Sequence, residues 1–549
     1  MKTRTKRIGF AGGALGCALV IGGSMAGATG WLSFGPVSKA NTKAVGIAAP
    51  NILASGLSES VVAQGSLALE NPDAASKVAY YGYLADGPMV PAPGDVQSTT
   101  HNVEATKTEP DKNTYLVIAG LKGADAGYDY GTHFLFQAHE GGSPGYFTRI
   151  NLDADGAHRV TLLATKDSTG AALPRGFDGS TWDPFAKRLL FTNEAGTKGG
   201  IWQATTDLPA KVDPLHGVFG QGGFEGVQAD KDGNLWVVED VGGQNGAVNT
   251  KAKQPNSFIY RLVPTDRADL TKGGTLQALQ VTSLSSGKPI VFGGASAIDS
   301  DITSPDRADL HTYGKTFKTA WVTVHDTAKD GTATFDANGA AKKAGATPFK
   351  RPENGVFRPG TSFGEFYFTE TGDTNADTQA APKFGGFGGV YKISQSSPSA
   401  STGTLSLVFE SDKAHTGFDN LAFLDASRLI VVEDGGDTLH AQRNALDSAY
   451  VIDVRKPGSE QVDLPRMLAE GRDAAATIDS GLGAIAGNGF QNDGDNEITG
   501  IHVSNGDPTP SGILGAAWPS PLTHGWRIFW TQQHGDNATY EITRAGHDD

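Results

Sequence analysis

Two stretches of this chain are near-copies. FEGVQADKDGNLWVVEDVGG runs from Phe224 to Gly243, and FDNLAFLDASRLIVVEDGGD runs from Phe418 to Asp437. In each, an acidic residue after a Phe stands fourteen residues before an acidic pair that ends an apolar run: Glu225 before Glu239-Asp240, and Asp419 before Glu433-Asp434. A hairpin, whose strands run out and back, returns such acids to one end of a sheet. The unit therefore reads as a metal-collecting repeat.

The same form recurs along the chain: a short run rich in Val, Phe, Trp and Thr closes on a polar or acidic cluster, often followed by glycine. Thr132–Phe136 precedes His139-Glu140, Leu189–Thr192 precedes Asn193-Glu194, and Leu235–Val238 precedes Glu239-Asp240. Trp321–Val324 precedes His325-Asp326, Phe366–Thr369 precedes Glu370, Leu429–Val432 precedes Glu433-Asp434, and Ile528–Thr531 precedes Gln532-Gln533-His534. Seven runs over about 400 residues, several followed by a second strand signal such as Phe258–Leu262, predict an all-β chain folded as a β-propeller. Two of the runs can share a blade, so six blades are preferred to seven, with insertions at Thr327–Lys350 and Arg455–Asn488. A pair of β-sandwiches would house the strands but not explain acids recurring at one strand end. Residues 111–549 are assigned to the propeller and the weakly patterned residues 29–110 to an irregular N-terminal arm wrapping the body.

The first 28 residues read as a bacterial-type export signal: Lys2, Arg4, Lys6 and Arg7, an apolar Gly/Ala-rich run, then Ala26-Gly27-Ala28. The sole cysteine, Cys17, lies inside it, so a mature chain of roughly 520 residues has no thiol for disulfides or metal. Loss of the four basic signal residues takes the formal charge from −15 to about −19. That acidity argues against nucleic acid or an anionic membrane as partner. The expectation is a secreted or periplasmic monomer, not membrane-bound once the signal is removed.

In a propeller, corresponding strand ends converge on one mouth of the channel, so acids far apart in sequence become neighbours. The candidates are Glu194, Glu225, Glu239, Asp240, Glu353, Glu370, Asp419, Glu433, Asp434 and Glu497, with Asn193, Asn354, Asn420 and Asn496 as neutral oxygen donors. Crowded carboxylates repel unless cations neutralise them, and an oxygen-rich, thiol-free set suits calcium first. Asp153-Ala154-Asp155-Gly156 and Asp230-Lys231-Asp232-Gly233 lack the closing Glu of an EF-hand and read as turns. Arg351 stands two residues before Glu353; in an extended strand both share a face, and the arginine either forks onto a phosphate or pairs with a neighbouring carboxylate. His534 is a ligand, a phosphate donor or a surface turn residue. Gly141-Gly142-Ser143-Pro144-Gly145 fits G-x-S-x-G only nominally, with a proline after the serine.

Several blocks, in order, resemble PhoX-type alkaline phosphatases, secreted propeller enzymes that use calcium and iron. They are the TNE ending at Glu194, the EG…VVED of Glu225–Asp240, Tyr260-Arg261-Leu262, Arg351-Pro352-Glu353 with FYFTE, Asp419–Phe423, and Glu497-Ile498-Thr499-Gly500 with WTQQHG. The resemblance implies that Glu194, Glu225, Glu353, Asp419 and Glu497 ligate metal and that Arg351 helps hold the phosphoryl group. The family's iron-ligating cysteine is missing: the corresponding segment reads Gly176-Phe177-Asp178-Gly179-Ser180-Thr181-Trp182. This puts iron in doubt and leaves Asp178 as a substitute oxygen ligand. The expected activity is metal-dependent hydrolysis of small phosphomonoesters. A calcium propeller phytase or phosphodiesterase, needing more cations of the Lys350 and Arg358 kind, and a non-catalytic calcium-binding propeller are the alternatives.

Overall fold

Glu225 and Asp419 sit at equivalent places because each is the second residue of an innermost strand, Phe224–Ala229 and Phe418–Phe423, buried along its whole length. A computed structural model describes residues 35–43, 49–87, 105–471, 497–534 and 537–546, and within it Gly35–Asp549 cluster as one unit. The expected export signal with Cys17, residues 472–488 of the expected Arg455–Asn488 insertion, Asn496 and Gly535 lie outside the described residues, while Arg466–Ala469 of that insertion is a strand of the sheet that holds Phe418–Phe423.

The strands form antiparallel blades, each with its first strand innermost. The inner strands are Thr114–Val117, Phe177–Asp183, Phe224–Ala229, Gly355–Phe357, Phe418–Phe423 and Glu497–Ser504, giving blades one to six in chain order. Neighbouring inner strands pack side by side, and the sixth returns to the first. These strands carry β-branched and aromatic residues on faces covered by the flanking blades, which is why their burial is continuous rather than alternating.

Six of the seven runs recognised in the sequence are the second strands of the blades: His133–Ala138, Arg188–Asn193, Leu235–Glu239, Glu365–Glu370, Arg428–Glu433 and Arg527–Gln533. The seventh, Trp321–Val324, belongs to Thr316–Asp326, an extra strand pairing with the outer strands of blades three and four and fusing them into one nine-stranded sheet. Its polar end, His325-Asp326, is accordingly remote from the channel: His325 stacks on Phe335 at 3.9 Å between ring centroids.

The ring closes through the chain's early residues. Leu57–Ala63 pairs with Thr539–Arg544 as the outer strand of blade six, from Leu57 opposite Arg544 to Ala63 opposite Thr539, and Ile52–Leu53 extends blade five. Circular closure removes the free inner edges an open sheet of this size would expose. The stretch assigned to an arm thus supplies strands to two blades.

Candidate active site

All six inner strands begin at the same mouth, and an acid stands at or just before the start of each: Asp111, Asp178, Glu225, Glu353, Asp419 and Glu497. They line one cavity of about 190 Å³. A second tier comes from the turn after the second strands: Glu194 follows Asn193, Asp240 follows Glu239, Asp434 follows Glu433 and His534 follows Gln533. Glu194, Asp434, His534 and Glu140 line the same cavity.

Because successive strand residues face opposite ways, only one acid of each pair turns toward the acid set: Asp434 lines the cavity, and Asp240 joins Glu194 and Glu353 beside it. Glu239 and Glu433, both expected as metal ligands, are turned into the walls. Glu239 Oε2 accepts hydrogen bonds from the Phe258 amide at 3.0 Å, the Tyr260 hydroxyl at 3.0 Å and Asn338 Nδ2 at 3.1 Å. Burial, against those bonds, pushes its carboxyl up to about 8. Glu433 Oε1 takes Arg443 Nη1 at 2.6 Å and the Thr416 amide at 3.2 Å. In blade four the same position is Glu370, held by Arg307 Nη2 at 2.9 Å, His311 Nε2 at 3.0 Å and the Lys350 amide at 2.6 Å. Burial opposes its charge, but these donors win and hold it at about 2. Asn420 is also absent from the cavity surface; its Nδ2 donates to both oxygens of Asp419, at 2.9 and 3.0 Å, and to the Thr499 carbonyl at 2.7 Å. It orients a candidate ligand.

The cavity acids mainly face one another rather than donors from the walls. Burial, then mutual repulsion, raises Asp178, Glu225, Glu353 and Asp419 well above the carboxylate range, and lifts Asp111 to about 7. Three groups bring one oxygen from each member within 4.8 Å of the others: Asp111, Asp178 and Glu225; Glu225, Glu353 and Asp419; Glu194, Asp240 and Glu353. Glu225 and Glu353 are each shared, so the groups form a continuous chain. Asp178 Oδ1 is buried with no hydrogen-bond partner. An orphaned oxygen inside an all-carboxylate set fits hard cations.

Arg351 reaches the cavity, though not from an extended strand. Its φ of 52° is left-handed, and the guanidinium bridges Asp240 at 2.9 Å and Glu353 at 3.3 Å. His534 Nδ1 lies 3.0 Å from Glu497 and Nε2 3.4 Å from Glu109. Although burial disfavours its charge, those two acids raise it well above the usual histidine range. Lys350 is committed to Asp373 at 3.0 Å and Arg358 to Glu365 at 3.0 Å, so neither faces the cavity. The turn readings also stand in the geometry. Asp230 Oδ1 accepts from the Asp232 and Asn234 amides at 2.8 and 3.0 Å, and Asp155 caps a short helix by accepting from the Ala157 and His158 amides.

Sequence reasoning left Asp111, Glu109 and Glu140 out of the candidates: the first two fall in or beside a region whose strand pattern is weak, and Glu140 was recognised at the end of the Thr132–Phe136 run but not carried forward. The available signal was positional: Asp111 precedes an inner strand as Glu353 does.

Residues 242–507 match the family model described as alkaline phosphatase PhoX. No curated protein sequence matches the chain. Among solved structures, Pseudomonas fluorescens PhoX in complex with vanadate, a transition state analogue, is 13% identical with a TM-score of 0.52, the alignment covering 93% of this chain and 98% of that one. A luciferin-regenerating enzyme is 10% identical with a TM-score of 0.37, covering 80% of this chain and 92% of that one. The first likeness establishes a shared fold over nearly the whole chain, and the family match, spanning just under half of it, supports a PhoX-type alkaline phosphatase.

Proposed function

We propose that the protein is an exported phosphomonoesterase whose carboxylate ring holds calcium and whose substrate is a small phosphate ester bound at the cavity mouth. The observation that carries this reading is the chain of linked acid groups, with Arg351 at its edge and the unpartnered Asp178 oxygen inside it. Because Asp178 offers oxygen rather than sulfur, the donor set suits calcium better than iron. Calcium bound there would supply Lewis-acid charge for the phosphate oxygens and for the attacking water. Asp111, Asp178, Glu225, Glu353, Asp419 and Glu194 would hold it.

The remaining work falls to the chain's own side chains. Arg351, fixed by Asp240, presents a fork that fits two non-bridging phosphate oxygens and follows the charge that develops during in-line displacement. His534, with both ring nitrogens held by Glu497 and Glu109, lends positive charge at the rim and leaves Glu497 engaged as its partner. Among the described residues the cavity lining carries no hydroxyl or thiol, which supports water as the attacking group. Lys350 and Arg358 are paired elsewhere, so a polyphosphate such as phytate finds few of the cations it would need. No helix of the described residues is long and apolar enough to cross a membrane. Export, with a monomer released from its signal, is part of the proposal.

Hydrolysis of an aryl phosphate by the purified protein, assayed with calcium and then with EDTA, tests it. Activity that calcium supports and EDTA abolishes is expected; no hydrolysis under any metal supplement overturns it.

A further inference from the structure

Lys112 follows Asp111 in blade one, is 3% exposed, and sends its ammonium across the channel to blade four, where Nζ donates to Asn354 Oδ1 at 3.1 Å. In a ring of six these two blades are opposite each other. The other end of the same amide turns toward the cavity: Asn354 Nδ2 lies 3.4 Å from Glu225 Oε1 and 3.5 Å from Asp419 Oδ1. Glycines make the crossing possible. Gly179 and Gly226 directly follow the ring acids Asp178 and Glu225. A Cβ on Gly226 would stand 2.6 Å from Asn354 Oδ1, and one on Gly500 2.9 Å from the Lys112 Cα. Rim cations cannot substitute, since Arg351 is committed to Asp240 and Glu353, and His534 to Glu497 and Glu109. Burial lowers Lys112 from the usual lysine range, against the support of the deeper set it faces, Asp419, Asp111, Asp178 and Glu225.

We propose that Lys112 is a protein-supplied cation built into the floor of the ring, orienting Asn354 and neutralising part of the carboxylate charge. This lets the empty site fold and limits the metal charge it takes up. The inference rests on the reading of the ring as a metal site.

A neutral side chain of similar length, Lys112→Met, tests it by melting with EDTA and with calcium, and by calcium titration. The expected result is a fall in melting temperature several times larger in EDTA than in calcium, with calcium affinity raised about tenfold, as removing one nearby positive charge implies. Adding Asp419→Asn restores the melting temperature in EDTA. Equal losses in EDTA and calcium with unchanged affinity make Lys112 a packing residue and overturn the proposal. If Lys112→Met alone does not fold, recovery of a folded protein by the double substitution supports charge balance, and failure of both overturns it. Wild-type protein that binds no calcium defeats the metal reading separately, and the EDTA melts of the single and double variants then decide whether Lys112 balances the acids.

Discussion

Glu225 and Glu239 lie fourteen residues apart in one hairpin, are both almost completely buried, and have opposite fates. Glu239 takes three donors on Oε2, from Tyr260, Phe258 and Asn338, while its Oε1 is buried without a partner. Glu225 instead meets Asp178 and Glu194, whose charges add to burial in raising it. Asp419 and Glu433 repeat the contrast in blade five, where Glu433 has Arg443 and Asp419 has the charge of Asp111 against it. A buried carboxylate supplied with donors is part of the wall; one supplied mainly with other carboxylates is arranged for a cation it does not itself provide.

The strongest way to break this contrast is to neutralise one acid of each kind. Glu225→Gln or Glu353→Gln removes a shared member of the acid chain, so phosphatase activity falls at least about a hundredfold and calcium binding weakens, while the protein in EDTA melts no lower than wild type. A loss of folding instead of calcium would place Glu225 with the wall acids. Glu370→Gln should do the reverse. It strands Arg307 in the interior and costs about 3–5 kcal/mol by denaturant unfolding, as breaking one side of a buried ion pair does, with calcium stoichiometry unchanged in the protein that remains folded.

Acid–base behaviour sharpens the same division. A folded group raised above its unfolded value binds protons in the native state, so stability is greatest below the unfolded value and declines as pH rises. For Asp111 that decline runs from the ordinary value of 3.8 to about 7. In EDTA the protein should therefore melt higher near pH 5 than near pH 8, and calcium should remove the difference. Glu370, lowered from 4.5 to about 2, contributes stability above 4.5 that is lost only as pH falls through that window. Glu370→Gln should thus flatten the acid side of the melting profile and leave the alkaline side alone. The smallest effect is reserved for a turn: Asp230→Asn weakens acceptance from the Asp232 and Asn234 amides, costing about 1–2 kcal/mol with no change in calcium content. Loss of calcium there would show that the Asp230 turn binds metal after all.

Much of this was legible in the chain. The recurrent runs located the second strand of every blade, because burial from both sides demands apolar β-formers whatever the neighbours are. The first acid of each near-copy lines the cavity for the same reason: it stands at the start of an inner strand. Trp321–Val324 shows the limit, since a run with the right composition serves equally well as a bridge between blades.

Sequence alone determined that a chain with repeated acids at strand ends, and its sole cysteine at position 17, would gather oxygen donors at one place. Which acid of each pair arrives there was decided only by tertiary structure. The two-residue period of a strand turns Asp240 inward and Glu239 outward, but the direction of the first depends on where the channel lies. Partners settled the rest: Arg443, Arg307 and Asn338 come from insertions whose docking no local pattern encodes, and Lys112 meets Asn354 only because the ring closes.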